Sequence, residues 1–284
     1  MKKILGLIGS PRSFGNCEIL IKEISKNIPE KHELSLLRLT DFNINACNGC
    51  YQCLFGDMRC PADDDLYTIV NALCDTDALI LAVPTYFFKA HSALHNLIDR
   101  GLSFYGFSEK IWNKSAIGIG IAGIDKKEGS ILLDIDRFMK LLHAETKETT
   151  IMYARLPGDI FLVDENITRA KTLAKQLFSD PVRKKVSCPL CGSDTFRFLG
   201  KNQIKCMLCS NEGTVMVCEN EPVISMELTG NGILLNEEDS MNHLTWLRDM
   251  KEEFLNKRHT LKKIKNEYIG NYKWIKPQKA ITDK

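Results

Sequence analysis

KKILGLIGSPRSFGNCEILIKEI, residues 2–24, decides the fold. An apolar run of strand length, KILGLIG at 3–9, stops at Ser10, Pro11 and Arg12. It gives way to a pattern that places Cys17, Leu20, Ile21, Ile24 and Ile28 on one helical face. Four more strand–helix pairs follow. The apolar runs at 34–39, 78–83, 115–122 and 149–154 are short and bounded by Gly, Pro or Asp. Between them lie helical stripes at Leu66, Ile69, Val70 and Leu73, then at Leu94, Leu97 and Ile98, then at Ile131, Ile135, Phe138, Met139 and Leu142. NITRAKTLAKQLFSD, 166–180, makes the fifth helix. Near-continuously apolar strands in five βα units predict an α/β domain over residues 1–180, with a five-stranded parallel sheet covered on both faces.

Beyond it, DPVRKKVS at 180–187 reads as a linker, and two CxxC pairs with short alternating segments form a small module at 186–230. A tail at 231–284 carries a helical pattern from about 237 to 268, with ten Lys/Arg against four Asp/Glu over 251–284, the signature of a solvated surface helix. The net charge of +2 gives no global pull toward nucleic acid. No stretch approaches the roughly 18 consecutive apolar residues of a membrane span. The start imitates a signal peptide, but SPR at 10–12 cuts the apolar run below the roughly 7–15 residues of an h-region. The expected location is therefore cytoplasmic. Eight of the eleven cysteines fall in two clusters, which without a secretory signal reads as metal or redox chemistry rather than a disulfide framework.

The turn GSPRSFGNCE, residues 9–18, lies where doubly wound sheets bind ligands. The Ser10 and Ser13 hydroxyls, the Arg12 fork and the N–H groups of a Gly-rich turn opening a helix suit a terminal phosphate. With neither GK[ST] nor GxGxxG, a monophosphate is favoured over a dinucleotide pyrophosphate. GSPRSFGN resembles the signature of the flavodoxin-like NAD(P)H-dependent FMN reductase family, GSPR-x-x-GN followed by Thr or Ser, with Cys17 at the last place. PTYFFKAHSALHNLIDR, 84–100, resembles the family's loop after the third strand, and AGIDKKEGS, 122–130, stands at its Gly-rich loop with fewer glycines. The resemblance covers residues 1 to about 175. It implies a flavodoxin-like doubly wound sheet in the order 2-1-3-4-5, with FMN phosphate bound by Ser10, Arg12, Ser13, Gly15, Asn16 and Cys17. It also implies a ring seated by Pro84, Thr85, Tyr86 and Phe87 beside Gly123 and Gly129, NAD(P)H as co-substrate, and a homodimer or homotetramer.

ACNGCYQCLFGDMRCPADDD, 46–65, sets Cys47, Cys50, Cys53 and Cys60 in the spacing C-x2-C-x2-C-x6-C, with Pro61 after the last. Ferredoxins use the related run C-x2-C-x2-C-x3-C-P. Three thiolates at x2 intervals can wrap one corner of a cubane, and the longer arm brings in the fourth. The motif resembles that of the iron–sulfur flavoproteins, a branch of the same family, and so implies a [4Fe-4S] cluster. Zinc fits less well, since its usual pattern is two CxxC pairs well apart. A redox dithiol is another reading. A cluster-free loop is the third, because related reductases carry similar cysteines before acids like Asp63–Asp65.

CPLCGSDTFRFLGKNQIKCMLC places Cys188, Cys191, Cys206 and Cys209 as two knuckles separated by fourteen residues, near the zinc spacing C-x2-C-x15–20-C-x2-C. So short a segment builds little core, and a metal would supply its folding energy. A zinc-ribbon-like module is expected; CPLCG also resembles a rubredoxin knuckle, which keeps mononuclear iron as the alternative. His91 and His95, at i,i+4 with no HExxH, read as packing residues, and Cys17, Cys74 and Cys218 as small hydrophobes. Together these readings predict an iron–sulfur flavoprotein, an FMN-dependent oxidoreductase. It would pass electrons between NAD(P)H or reduced ferredoxin and a small-molecule or protein acceptor through FMN and a [4Fe-4S] cluster. The alternatives are a cluster-free FMN or quinone reductase, and a flavin redox sensor whose ribbon binds a partner or nucleic acid.

Overall fold

The inner strands are apolar on both sides because each side meets helices. In the computed structural model, which describes residues 1–181, 186–228, 232–271, 273 and 275, these are β1 (Lys2–Ile8), β3 (Ala78–Tyr86) and β5 (Ser115–Ala122). Strands β2 (His32–Arg38) and β6 (Glu145–Tyr153) are the edges, and all five run parallel in the order β2-β1-β3-β5-β6. Taken as parallel strands alone, that is 2-1-3-4-5. A sixth strand that the hydropathy does not predict, β4 (Lys89–Ala90), folds back antiparallel on Tyr86 and Thr85. Strand β6 starts four residues before the expected 149, since its polar opening hides it. On the sheet edge those charges pair, Lys147 with Glu145 at 2.6 Å and Arg169 with Glu148.

Alternate residues of each inner strand feed two separate cores. On one face α1 (Asn16–Lys26) and α6 (Asp164–Gln176) press Leu20, Ile21, Ile24, Leu173 and Ala174 against Ile4, Ile8, Ile80, Ile117 and Ile119. On the other, α2 (Leu66–Cys74), α3 (Ser92–Asp99) and α5 (Ile131–Leu141) cover Leu5, Leu7, Leu79, Leu81 and Val83. A 3-10 segment, Gly101–Phe107, and the short α4 (Ser108–Ile111) follow α3. Each fully buried Leu or Ile contributes about 1.5–3 kcal/mol, so the two cores fix the strand ends from which the loops emerge.

After this domain come β7 (Phe196–Gly200), β8 (Gln203–Cys206), β9 (Glu212–Cys218) and β10 (Glu221–Glu227), an antiparallel sheet in the order β10-β9-β8-β7. Ile204, Cys188 and Cys206 are buried there, while Phe198, Met216, Val217 and Val223 stay exposed. That is little apolar burial for a sheet of this size. Of the linker expected at 180–187, residues 182–185 lie outside the described residues. So do 229–231, where the expected module ends and the tail begins, and 272, 274 and 276–284 of the tail.

The chain forms two compact units, residues 1–244 and 245–284. The first takes in this antiparallel sheet and the start of α7 (Glu237–Asn266), where Ser240 is fully buried with its hydroxyl 2.7 Å from His143 Nε2. In the second, α7 continues with Phe254 and Leu255 exposed. No helix among the described residues is long and apolar enough to cross a membrane.

Candidate active site

The loop between β1 and α1 is tight. A Cβ on Gly15 would come within 3.0 Å of the Arg12 Cβ and 3.1 Å of its carbonyl, so any larger residue there would have to push Arg12 aside by a few tenths of an ångström. Ser10 is buried and its Oγ accepts the Arg12 N–H at 3.3 Å, while Arg12 and Ser13 are exposed. Behind the loop sits a charged brace that the sequence pattern does not single out. Glu18 accepts the Phe14 N–H at 2.9 Å, Lys22 Nζ at 2.6 Å and an Arg38 guanidinium nitrogen at 2.6 Å. Arg38 also donates to the carbonyls of Arg12 at 2.5 Å and Ser10 at 3.3 Å. Burial works against the Glu18 charge, but Lys22, the Phe14 N–H and Arg38 outweigh it and bring its pKa down to about 2.

Two residues of the expected phosphate set point elsewhere. The Asn16 side chain accepts the Gly158 N–H at 2.8 Å and donates to the Leu156 carbonyl at 2.9 Å and to Asp159 at 3.2 Å. It thus holds the loop after β6 to the start of α1. The Cys17 thiol lies in the core beside α1, and burial pushes it up to about 12. To a phosphate at this turn both residues would offer only their backbone N–H groups, which the first turn of a helix leaves without intrahelical partners.

At the end of β3 the chain turns through Phe87 and Phe88, with φ of 47° and 65°. Positive φ at both central positions is the geometry of a tight hairpin, usually given to Asn-Gly. Here two aromatics adopt it, leaving Phe87 94% exposed at the carboxyl edge of the sheet. Strain of this kind collects at functional sites. Phe14, Ile124 and Leu156 are exposed on loops at the same edge, and Tyr86 is exposed at the end of β3. Gly129, at φ +63°, lies against the turn, and Ser130 donates to the Phe88 carbonyl. Pro84 pairs with Ile121 across the sheet, and Gly123 has the Arg155 side chain at 3.9 Å from where a Cβ would sit. The Thr85 hydroxyl is buried with no hydrogen-bond partner among the described residues. The narrow phosphate cradle, exposed aromatics and an orphan hydroxyl together fit a flat, phosphorylated cofactor.

The first cysteine loop leaves β2 next door. Its acids, which read as a plain DDD run, tie it down: Asp65 accepts the Asn43 N–H at 2.7 Å, and Asp64 the Asn45 and Leu66 N–H groups at 3.0 and 3.2 Å. Burial opposes the Asp64 charge, but Arg100, 2.6 Å away, and those N–H groups hold it below the usual carboxylate range. Cys60 donates its N–H to the Tyr67 hydroxyl, and Arg59 lies over the Tyr67 ring at 4.0 Å. Cys47, Cys50, Cys53 and Cys60 line one cavity of about 350 Å³ with Asp99, Arg100, Leu102 and Ser103. Burial pushes the Cys53 thiol up, the Ser103 hydroxyl pulls it down, and Cys60, Cys50 and Cys47 push it further. Four thiols around a cavity, rather than collapsed on a point, fit a polynuclear cluster.

The second set differs. Its four sulfurs lie within 4.8 Å of one another, alone in this among the described residues. Cys191 is 3.5 Å from Cys206, and Cys188 3.8 Å from Cys209. A tetrahedral ion with metal–sulfur bonds of about 2.3 Å needs sulfur separations of about 3.8 Å, so these residues fit one mononuclear ion. Each knuckle closes on itself: Gly192 donates to the Cys188 carbonyl at 2.8 Å, and Ser210 to that of Cys206 at 3.0 Å. The first knuckle faces Ala144, Thr146, Lys147 and Thr149 across a cleft. It therefore sits by the start of β6, at the opposite end of the strands from the phosphate loop.

Residues 2–144 match the model of the NADPH-dependent FMN reductase family. The chain belongs to that family. Its relatives include an iron-sulfur flavoprotein of Archaeoglobus fulgidus, 35% identical over 99 residues, which are 34% of this chain and 48% of that protein. The chain thus spans about half the length of that relative. An iron-sulfur flavoprotein of Methanocaldococcus jannaschii is 28% identical over 184 residues, covering 62% of this chain and 95% of that protein. A solved flavone reductase has a TM-score of 0.70 at 16% identity, over 96% of this chain and 100% of that one. At that identity the fold alone is shared, and it extends past the FMN reductase region into the ribbon. FMN is the family's cofactor, and the edge formed by residues 10–16, 84–88 and 123–130 is where this member would hold it.

Proposed function

We propose that the protein is an FMN-dependent oxidoreductase of the iron–sulfur flavoprotein type, passing electrons between NAD(P)H or reduced ferredoxin and an acceptor yet to be identified. Ser10, Arg12, Ser13, Gly15 and the N–H groups of Asn16 and Cys17 bind the FMN phosphate. Pro84, Thr85, Tyr86 and Phe87 seat the ring with Gly123 and Gly129. Cys47, Cys50, Cys53 and Cys60 hold a [4Fe-4S] cluster. The ribbon cysteines hold zinc in a structural role, because their knuckle lies at the far end of β6. A homo-oligomer would cover the exposed aromatics of the flavin edge. Flavin accepts electron pairs and releases them singly, which joins a hydride donor to a one-electron centre.

The observation that carries this reading is the adjacency of two loops. The phosphate loop leaves β1 and the cysteine loop leaves β2, neighbouring parallel strands paired from Lys2–His32 to Ile8–Arg38. Arg38 ends β2 and bonds the phosphate-loop carbonyls, so both loops emerge from one braced edge. Anaerobic purification with analysis of FMN, iron, sulfide and zinc is the test. FMN with about four iron and four sulfide per chain, and flavin bleaching by NAD(P)H or reduced ferredoxin, is the expected result. FMN with zinc and no iron would establish the cluster-free reductase instead, and failure to bind FMN would overturn both.

A further inference from the structure

Arg100 closes the wall of the first cysteine cavity in a way that loop folding alone does not require. Its side chain is 2% exposed and that of its partner Asp64 is 0% exposed. A buried ion pair is a weak source of stability, since desolvation offsets most of its attraction. Two terminal nitrogens are committed, one to Asp64 at 2.6 Å and the Asn45 carbonyl at 2.8 Å, the other to Asp64 at 3.4 Å. The Cys60 sulfur lines the same cavity wall. The Arg100 Nε is buried and has no partner among the described residues. A fixed cation with one donor unspent thus lines the cavity that all four cysteines share.

We infer that Arg100 is a positioning residue that sets the reduction potential of the cysteine-held cluster, through its fixed charge and its unspent Nε donor. This rests on the cluster reading above. A [4Fe-4S] core of charge 2+ with four thiolates carries net charge 2−, and one added electron makes it 3−. A buried cation stabilises the reduced form more than the oxidised form, and N–H···S bonds act in the same direction. Asp64 opposes this field while it aims the guanidinium. Replacing the two residues therefore moves the potential in opposite directions, whereas two mere staples of the loop would act alike.

The test is an EPR-monitored redox titration of the full-length, anaerobically purified protein as wild type, R100Q, R100K and D64N, with iron and sulfide measured on each. In R100Q the reduction equilibrium falls at least about tenfold, 59 mV for a one-electron couple. R100K, which keeps the charge and loses the fork, falls less, and D64N rises. If R100Q sheds its cluster, R100K and D64N still give the opposed signs. Loaded variants with the wild-type potential, or shifts of one sign in R100K and D64N, overturn the inference alone. A wild type without iron and sulfide overturns the cluster reading as well.

Discussion

The Phe88 carbonyl accepts two hydrogen bonds from Ser130, one from its N–H at 2.6 Å and one from its hydroxyl at 3.2 Å. These residues belong to loops after different strands, β3 and β5. The same turn is held from behind, where Ala90 donates its N–H to the buried Asp134 at 3.0 Å. The exposed aromatic turn is therefore no free loop tip. It is locked to the loop across the edge, and the two form one surface.

Gly129 is where that lock can be broken. At φ +63° a side chain is strained, and a Cβ would lie 2.2 Å from the Phe88 carbonyl oxygen. Gly129→Ala should force the turn away and raise the FMN dissociation constant by at least about tenfold, roughly 1.4 kcal/mol. Ser130→Ala, which leaves the N–H bond in place, should cost about 1 kcal/mol or less. Quenching of flavin fluorescence on titration into flavin-free protein measures both. Wild-type affinity in Gly129→Ala would remove this edge from the flavin seat.

Glu18 gives the phosphate loop a pH dependence. Its folded pKa of about 2 lies below that of an unfolded glutamate, so its stabilisation is present above about pH 4.3 and is lost as pH falls toward 2. The depression corresponds to on the order of 3 kcal/mol at about 1.36 kcal/mol per pH unit, an upper figure because Lys22 is partly exposed. Glu18→Gln should be less stable at neutral pH and lose less stability across that window. Urea denaturation at pH 7 and pH 3 measures the difference, and equal losses in the two proteins would exclude Glu18 as the source.

The parallel sheet was legible because burial on both faces writes itself as unbroken apolar runs. What escaped was polar or used its backbone. The opening of β6 is charged, as an edge strand allows, and β4 is two residues long. Asn16 stands in the loop motif, yet its side chain goes to Gly158, Leu156 and Asp159, contacts that no local pattern announces. Glu18 and Arg38 meet only after the chain has passed through α1 and β2, so their pairing has no spacing rule. Asp64 and Arg100 stand 36 residues apart for the same reason. The two cysteine groups are legible because thiols at short, fixed spacings form a local pattern, and the fold gathers Cys188, Cys191, Cys206 and Cys209 within 4.8 Å of one another.

The ribbon should be separable from the flavin chemistry. Its buried apolar side chains are few, so a bound metal would carry its folding. Cys209→Ser should release the ion and melt the antiparallel sheet. FMN affinity should stay within about twofold of wild type, less than 0.5 kcal/mol, since the knuckle faces the start of β6. Metal analysis with flavin titration reads both. A parallel loss of FMN affinity would show that the ribbon supports the flavin edge.

Tyr67 tests whether the first cysteine loop is built to receive a cluster. Its hydroxyl accepts the Cys60 N–H, and its ring lies under Arg59 and 5.8 Å from Phe107. Tyr67→Phe keeps the ring and strands that N–H in a half-buried place, at a cost of about 1–3 kcal/mol. Cys60→Ser should lose the cluster outright, with FMN still bound. Tyr67→Phe should assemble the cluster and yield iron to a chelator about tenfold faster, because the loop that presents Cys60 opens more often. Iron release followed by absorbance measures the rate. If Tyr67→Phe releases iron at the wild-type rate, the order of this loop comes from the cluster and not from the side chains that brace it.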